Sequence, residues 1–231
     1  MGFEALTIRI MFTQNVIMTN TMWTEDSSSD MKLCPEEVVK ERLEQFHDSW
    51  SSAMSQGNGD GKQIHTYIED DFHIGRCLGE GSFAHVSCVV LKSSHRNRPQ
   101  DCYVESGQSY ALKRLKSSVV ANPTMLAIAA SDLAMEATLL SNLRHKNIIS
   151  LHGVMRGNMI QSLKHGIYFI VLDLLVETLD ERFIKWQEQQ KRAKLMLIKR
   201  KDTYITARIQ EVAMGIAEGM EYLHSKNVIF R

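Results

Sequence analysis

The sequence predicts an α+β fold: an antiparallel sheet with one helix set against it, then helices alone. Two observations carry this. Between residues 72 and 174 the apolar residues follow a strand, strand, strand, helix, strand, strand pattern, and beyond residue 178 their period is helical. A third observation bounds the answer. A chain of 231 residues with 44% hydrophobic and 23% charged residues is globular in composition, which excludes collagen-like, wholly disordered and disulfide-scaffold classes.

Residues 1–65 read as an N-terminal extension. Residues 1–33 hold Met, Thr, Asn and Ser without a sustained period, ending in Ser27-Ser28-Ser29-Asp30, and are expected to be disordered. Pro35-Glu36-Glu37 suits a first helical turn, where proline is tolerated and acids face the positive end of the dipole. Val39, Leu43, Phe46 and Trp50 follow at helical spacing, so residues 35–50 form a candidate helix. It packs on its own domain or docks a partner. Ser51 to Lys62, rich in Ser and Gly, is a linker.

Phe72 to Leu78 is the first strand of the sheet. After a glycine-rich turn, Val86, Cys88 and Val90 alternate along the second. Ser93 to Gln108 is a polar connection, and Tyr110-Ala111-Leu112-Lys113 begins the third strand. Thr124 to Leu143 is helical, with Pro123 just before it. Ile148 to Met155 and Ile167 to Leu174 complete the sheet. Thr178 to Gln190 opens the helical part. Ile205, Ile209, Val212, Ile216, Met220 and Leu223 define a further helix whose stripe needs a partner surface. Burying each such side chain is worth roughly 1.5–3 kcal/mol.

Composition narrows function. Lys+Arg and Asp+Glu are both 27, so whole-chain charge gives no case for nucleic acid or an anionic membrane as partner. Cys34, Cys77, Cys88 and Cys102 form no C-x-x-C pair and read as reduced thiols of the cytosol or nucleus. The longest apolar stretch, Ile167 to Val176, is broken by Asp173 and too short to cross a bilayer. Arg9 interrupts any signal-peptide core, and Leu6 stands where a myristoylation signal needs Ser or Thr. The nine histidines show no metal-site spacing, so no metal ligands are assigned.

Gly79-Glu80-Gly81-Ser82-Phe83-Ala84-His85-Val86 approaches G-x-G-x-x-G-x-V, with Ala84 as the third small residue. Glycines there let backbone N–H groups approach phosphate oxygens. A dinucleotide loop must lead into a helix, yet Val86 to Val90 is strand-like. A P-loop fails because Gly61-Lys62 is followed by Gln63, and Gln56 occupies the first glycine position. On the loop alone, an ordinary glycine hairpin stays open. Two later residues change the balance. Lys113 can place a fixed cation beside bound phosphates, and Glu136 on the helix can anchor it.

With Leu143-Arg144-His145-Lys146-Asn147-Ile148-Ile149-Ser150-Leu151 and Gly219-Met220-Glu221-Tyr222-Leu223-His224-Ser225, these residues resemble a eukaryotic-type protein kinase from about Thr66 to Arg231. The resemblance implies a kinase N-lobe over residues 66–177, a five-stranded antiparallel sheet with one regulatory helix. The first helices of the C-lobe would follow over residues 178–231. It implies ATP and Mg2+ as cofactors and a protein substrate, with no nucleic acid beyond ATP and no membrane.

Leu78, Val86 and Ala111 would cover the adenine. The backbone of Gly79, Glu80, Gly81, Ser82, Phe83 and Ala84 would hold the phosphates. Lys113 and Glu136 would be the catalytic-site pair. Leu172 would be the gatekeeper, and the Asp173 carbonyl and Leu175 N–H would read the adenine edge. Leu140 and Leu151 match the upper positions of an apolar stack.

Val228-Ile229-Phe230-Arg231 resembles the start of the catalytic loop, with Phe230 in place of His. The catalytic Asp and the magnesium ligands would lie beyond Arg231. The chain is therefore expected to be a fragment, inactive as written. Its texture is closer to Ser/Thr than to Tyr kinases. The alternative is a pseudokinase or a truncated ATP-binding regulatory module, which Phe230 keeps open. Residues 182–201 carry eight basic side chains, against Glu181 and Glu188 nearby, and read as a solvated insertion or as a partner-docking stretch.

Overall fold

The computed structural model describes residues 16–18, 44, 64–92, 107–195 and 201–230. In chain order these form β1 (Val16–Met18), β2 (His65–Tyr67), β3 (Phe72–Glu80), β4 (Ala84–Leu91), β5 (Ser109–Leu115), α1 (Ser117–Val120) and α2 (Pro123–Asn142). Then come β6 (Leu151–Met155), α3 (Met159–Lys164), β7 (Phe169–Asp173), α4 (Leu179–Leu195), α5 (Lys201–Ser225) and β8 (Val228–Phe230). The chain divides into two compact units. One holds Glu25–Arg144 and Ser150–Leu174; the other holds Met1–Thr24, His145–Ile149 and Leu175–Arg231.

The first unit is built on a six-stranded sheet in the order β2-β6-β7-β5-β4-β3. Successive strand residues point to opposite faces, so the register decides which side chains meet. Val86 lies opposite Lys113, and Lys113 opposite Ile170. Ala111 lies opposite Cys88 and Leu172. These residues share one face. Tyr110, Leu112, Phe169 and Val171 occupy the other, where they join Tyr67, Phe72, Val89 and Leu91 in a buried cluster. Its aromatic rings interlock, with Tyr67 and Phe72 centroids 5.0 Å apart.

Helix α2 starts where the sequence says it should. Pro123 occupies its first turn, and Asn122 caps it by accepting the Met125 N–H at 3.1 Å. Ala129, Ala130, Ala134 and Ala137 are buried along its length. Small side chains there suit close packing on neighbouring elements, and the helix contacts β5 and β6. By length and composition α2 could cross a bilayer, but half of its apolar window is buried within this protein.

Three elements go beyond the expected five strands and one helix: strand β2 and the short helices α1 and α3. Strand β2 adds a sixth strand, pairing parallel with β6. Gly153 makes room for it: a Cβ there would stand 2.3 Å from the Tyr67 ring and 2.7 Å from the His65 carbonyl. Helix α3 is a short extra turn, capped by Asn158, which accepts the Gln161 N–H at 3.0 Å.

In the second unit, α4 opens with a reciprocal cap. Thr178 Oγ1 accepts the Glu181 N–H at 3.2 Å, and the Glu181 carboxylate accepts the Thr178 N–H at 3.0 Å. The helix runs to Leu195, past the expected end at Gln190. Much of the basic stretch is therefore helical, with Lys185, Lys191 and Arg192 exposed to solvent. Its Lys, Arg, Gln and Glu residues are good helix formers. Arg182 and Lys185 both pair with Glu177, and residues 196–200 lie outside the described residues. Trp186 and Val212 form a small buried cluster with Leu179, Phe183 and Ile216 against it.

The α5 stripe is only partly covered: Val212 and Leu223 are buried, Ile216 and Met220 half-buried, and Ile209 exposed. Asn227, at φ 58°, turns the chain after α5 into β8. Strand β8 pairs antiparallel with β1. The expected helix at 35–50 lies outside the described residues, except for Glu44, which is helical. The linker at 51–62 also lies outside them.

Two segments of the sequence resemblance meet in this unit. The Asn147 side-chain amide donates to Glu218 at 3.0 Å, Lys146 pairs with Glu218 at 2.9 Å, and the His145 ring stacks on Tyr222 with centroids 5.1 Å apart. The Lys146 ammonium and the Asn147 amide hold the Glu218 carboxyl below its ordinary range.

Candidate functional site

Strands β3 and β4 form a hairpin closed by the Gly81 N–H donating to the Ala84 carbonyl at 2.8 Å. Gly79 and Gly81 are absent from the residues with positive φ. A Cβ at Gly79 would meet nothing within 4 Å, and one at Gly81 would meet only the Ala84 carbonyl, at 3.7 Å. Neither strain nor crowding inside the chain calls for glycine at these positions. Bare backbone here leaves space for a group approaching from outside. Gly79, Glu80, Gly81 and Ser82 are exposed, Leu78, Phe83 and Val86 half-buried, and Ala84 buried. The Gly81 N–H is already engaged within the turn.

On the same sheet face as Val86, Lys113 reaches α2 and forms an ion pair with Glu136, Nζ to Oε2. The two side chains are 18% and 14% exposed, so the pair is largely shielded from water. Burial raises the Glu136 carboxyl above its ordinary value, while the Lys113 ammonium opposes the rise. Ala111 and Leu172, also on this face, are buried at 6% and 1%. Leu140 and Leu151 are buried as well.

Asp173 ends β7, and its side chain does not join this face. Its carboxylate accepts the Ser150 N–H at 2.6 Å and pairs with His152 at 2.7 Å. The His152 ring packs on Tyr110, with centroids 5.0 Å apart. Ser150 and His152 are partners the sequence reading did not name. The alternation of β7 shows that Asp173 and Leu172 lie on opposite faces, but not which residues the carboxylate meets. Leu175, half-buried, belongs to the second unit.

A second polar group borders the hairpin. Arg114 donates from Nε to His85 Nε2 at 2.9 Å and from Nη1 to Glu69 at 2.7 Å. Burial, reinforced by the Arg114 guanidinium, holds His85 below its ordinary value, so the ring serves as a neutral acceptor. Lys116 pairs with Glu80 at 3.1 Å. Among the described residues, no three His, Cys, Asp or Glu side chains gather in a way that could hold a metal ion.

A family model described as protein tyrosine and serine/threonine kinase matches residues 72–231. The chain is 28% identical over 169 residues to the tyrosine-protein kinase receptor TYRO3 of Danio rerio. That match covers 68% of this chain and 15% of the relative, so the chain spans a small part of the relative's length.

Proposed function

Because the chain belongs to the protein tyrosine and serine/threonine kinase family, we propose that it binds ATP beneath the β3–β4 hairpin and serves phosphoryl transfer to protein hydroxyl groups. The single observation that carries this reading is the Lys113–Glu136 pair, on the sheet face that also bears Val86, Ala111 and Leu172. Leu78, Val86, Ala111 and Leu172 offer an apolar surface for adenine. The Asp173 carbonyl would accept from the adenine amino group, and the Leu175 N–H would donate to a ring nitrogen. The Lys113 ammonium would bind phosphate oxygens, and Glu136 would hold it in place. The hairpin backbone from Gly79 to Ala84 would close over the phosphates. Magnesium bound to the phosphates would offset their charge; among the described residues no three His, Cys, Asp or Glu side chains gather to ligate it.

The sequence holds neither His-Arg-Asp nor Asp-Phe-Gly. Residues 1–231 by themselves are proposed to bind the nucleotide without turning it over. A non-catalytic regulatory module is the second reading, favoured by Phe230 in the His position. The sequence texture favours serine/threonine specificity, whereas the relative is a tyrosine-protein kinase receptor, which favours tyrosine. Titration with ATP tests the core of the proposal. One saturable site, with adenosine competing, is the expected result; no saturable binding overturns it.

A further inference from the structure

We infer that Lys116 is a positioning residue for the glycine hairpin, tying both limbs of its turn to the strand that carries Lys113. This rests on the ATP-site reading above and extends it. Two contacts converge on Lys116. Its backbone N–H donates to the Phe83 carbonyl at 2.9 Å, one step beyond the Ala84–Leu115 pair of the β4–β5 ladder. Its ammonium pairs with Glu80, the last residue of β3, at 3.1 Å. The turn between β3 and β4 is thus held on the entering limb by charge and on the leaving limb by backbone.

Lys116 is itself well fixed. It is the N-cap of α1, and its carbonyl accepts the N–H groups of Val119 and Val120 at 3.0 Å each. Val119 is 1% exposed, so this short turn is seated in the core. Three residue steps of extended chain lead from Lys113 to Lys116, a span of about 10 Å at the usual rise of a strand. The height of the hairpin over the Lys113 ammonium is therefore set through continuous backbone. The Lys116 ammonium, paired with Glu80, ties down the entering limb of the turn.

The backbone contact can be removed cleanly. Lys116 has φ −73° and ψ 146°, a conformation proline adopts, and Leu115 before it lies in a strand, as a residue preceding proline prefers. The intrahelical bonds of α1 do not use the Lys116 N–H. Lys116→Pro deletes the donor to Phe83 together with the charge. Lys116→Gln removes the charge and keeps the donor.

The experiment titrates wild type and both variants with ATP and with adenosine, which has no phosphates. A urea melt of each variant is the control for folding. Lys116→Pro is expected to weaken ATP by about three- to tenfold, the range of one backbone hydrogen bond, and to leave adenosine within about twofold. Lys116→Gln is expected to weaken ATP by about twofold, as suits an exposed pair. Adding Glu80→Gln to it should cost nothing more, because both changes remove one contact. Equal losses for ATP and adenosine, or unchanged ATP affinity, overturn the inference and leave the ATP site standing. Should Lys116→Pro not fold, additive effects of Lys116→Gln and Glu80→Gln on ATP affinity overturn it. Wild-type chain that binds neither ligand overturns the ATP-site reading, and this inference with it.

Discussion

On one face of the sheet, Tyr67, Phe72, Val89, Leu91, Tyr110, Leu112, Phe169 and Val171 are all 6% exposed or less. In the helical unit the buried cluster among the described residues is Trp186 with Val212, while Ile184, Ile209 and Met214 are 57%, 43% and 61% exposed. Both units leave some large apolar side chains in water, Ile128 and Ile167 of the sheet unit among them, but the sheet unit closes the larger core, eight buried side chains against two. Chemistry that needs side chains held to a fraction of an ångström belongs on the first kind of platform. Lys113, Ala111 and Leu172 share their strands with the buried cluster: Leu112 lies between the first two, and Val171 precedes the third. A rigid layer on one face thus fixes the ligand-facing side chains on the other.

This contrast can be broken experimentally. Leu112→Ala removes a side chain that is 1% exposed at the centre of the packed face. It should cost about 2–5 kcal/mol of unfolding free energy, read as a fall in urea midpoint. Trp186→Ala deletes a larger side chain from a smaller cluster. It should cost no more than Leu112→Ala, about 3 kcal/mol at the low end for a truncated tryptophan, because neighbours such as Phe183 are only half-buried and can collapse into the gap. A Trp186→Ala loss exceeding that of Leu112→Ala would remove the distinction between the units.

The smallest effect concerns pH. The Glu136 carboxyl is raised above 4.5 by burial. A group that holds its proton more tightly when folded contributes stability that is full below its unfolded value. That contribution is lost as pH rises through the raised folded value. Urea midpoints should therefore carry a downward component above pH ~4.5, and Glu136→Gln, which cannot titrate, should flatten it. An identical pH profile for the variant would contradict the burial of this carboxyl in a packed site.

Much of the sheet unit is legible in the sequence. Val86, Cys88 and Val90 alternate because β4 has one face toward Lys113 and Ala111, and Tyr110 to Lys113 alternates for the same reason. Lys113 and Glu136 are 23 residues apart, yet each sits at an identifiable strand or helix position, and helix packing brings them together. What stayed hidden is non-local or short. Strand β2 has three residues, and its place depends on Gly153 in a strand almost ninety residues later. Helix α3 has six residues, too few to show a period. The partners of the Asp173 carboxylate, Ser150 and His152, come from another strand edge, which no local pattern reveals. In the basic stretch the solvated character is legible, with Lys185, Lys191 and Arg192 exposed, but the end of the helix is not: helix-forming residues continue α4 to Leu195.

The central claim is that the Lys113 ammonium, held by Glu136, receives the phosphates of a nucleotide. Calorimetric titration of wild type and Lys113→Met with ATP and with adenosine tests it most directly. The account predicts that wild type binds ATP more tightly than adenosine. It also predicts that Lys113→Met weakens ATP by about tenfold or more, as loss of a charge-assisted contact implies, with adenosine affinity nearly unchanged. Equal ATP affinity in the two proteins would contradict it.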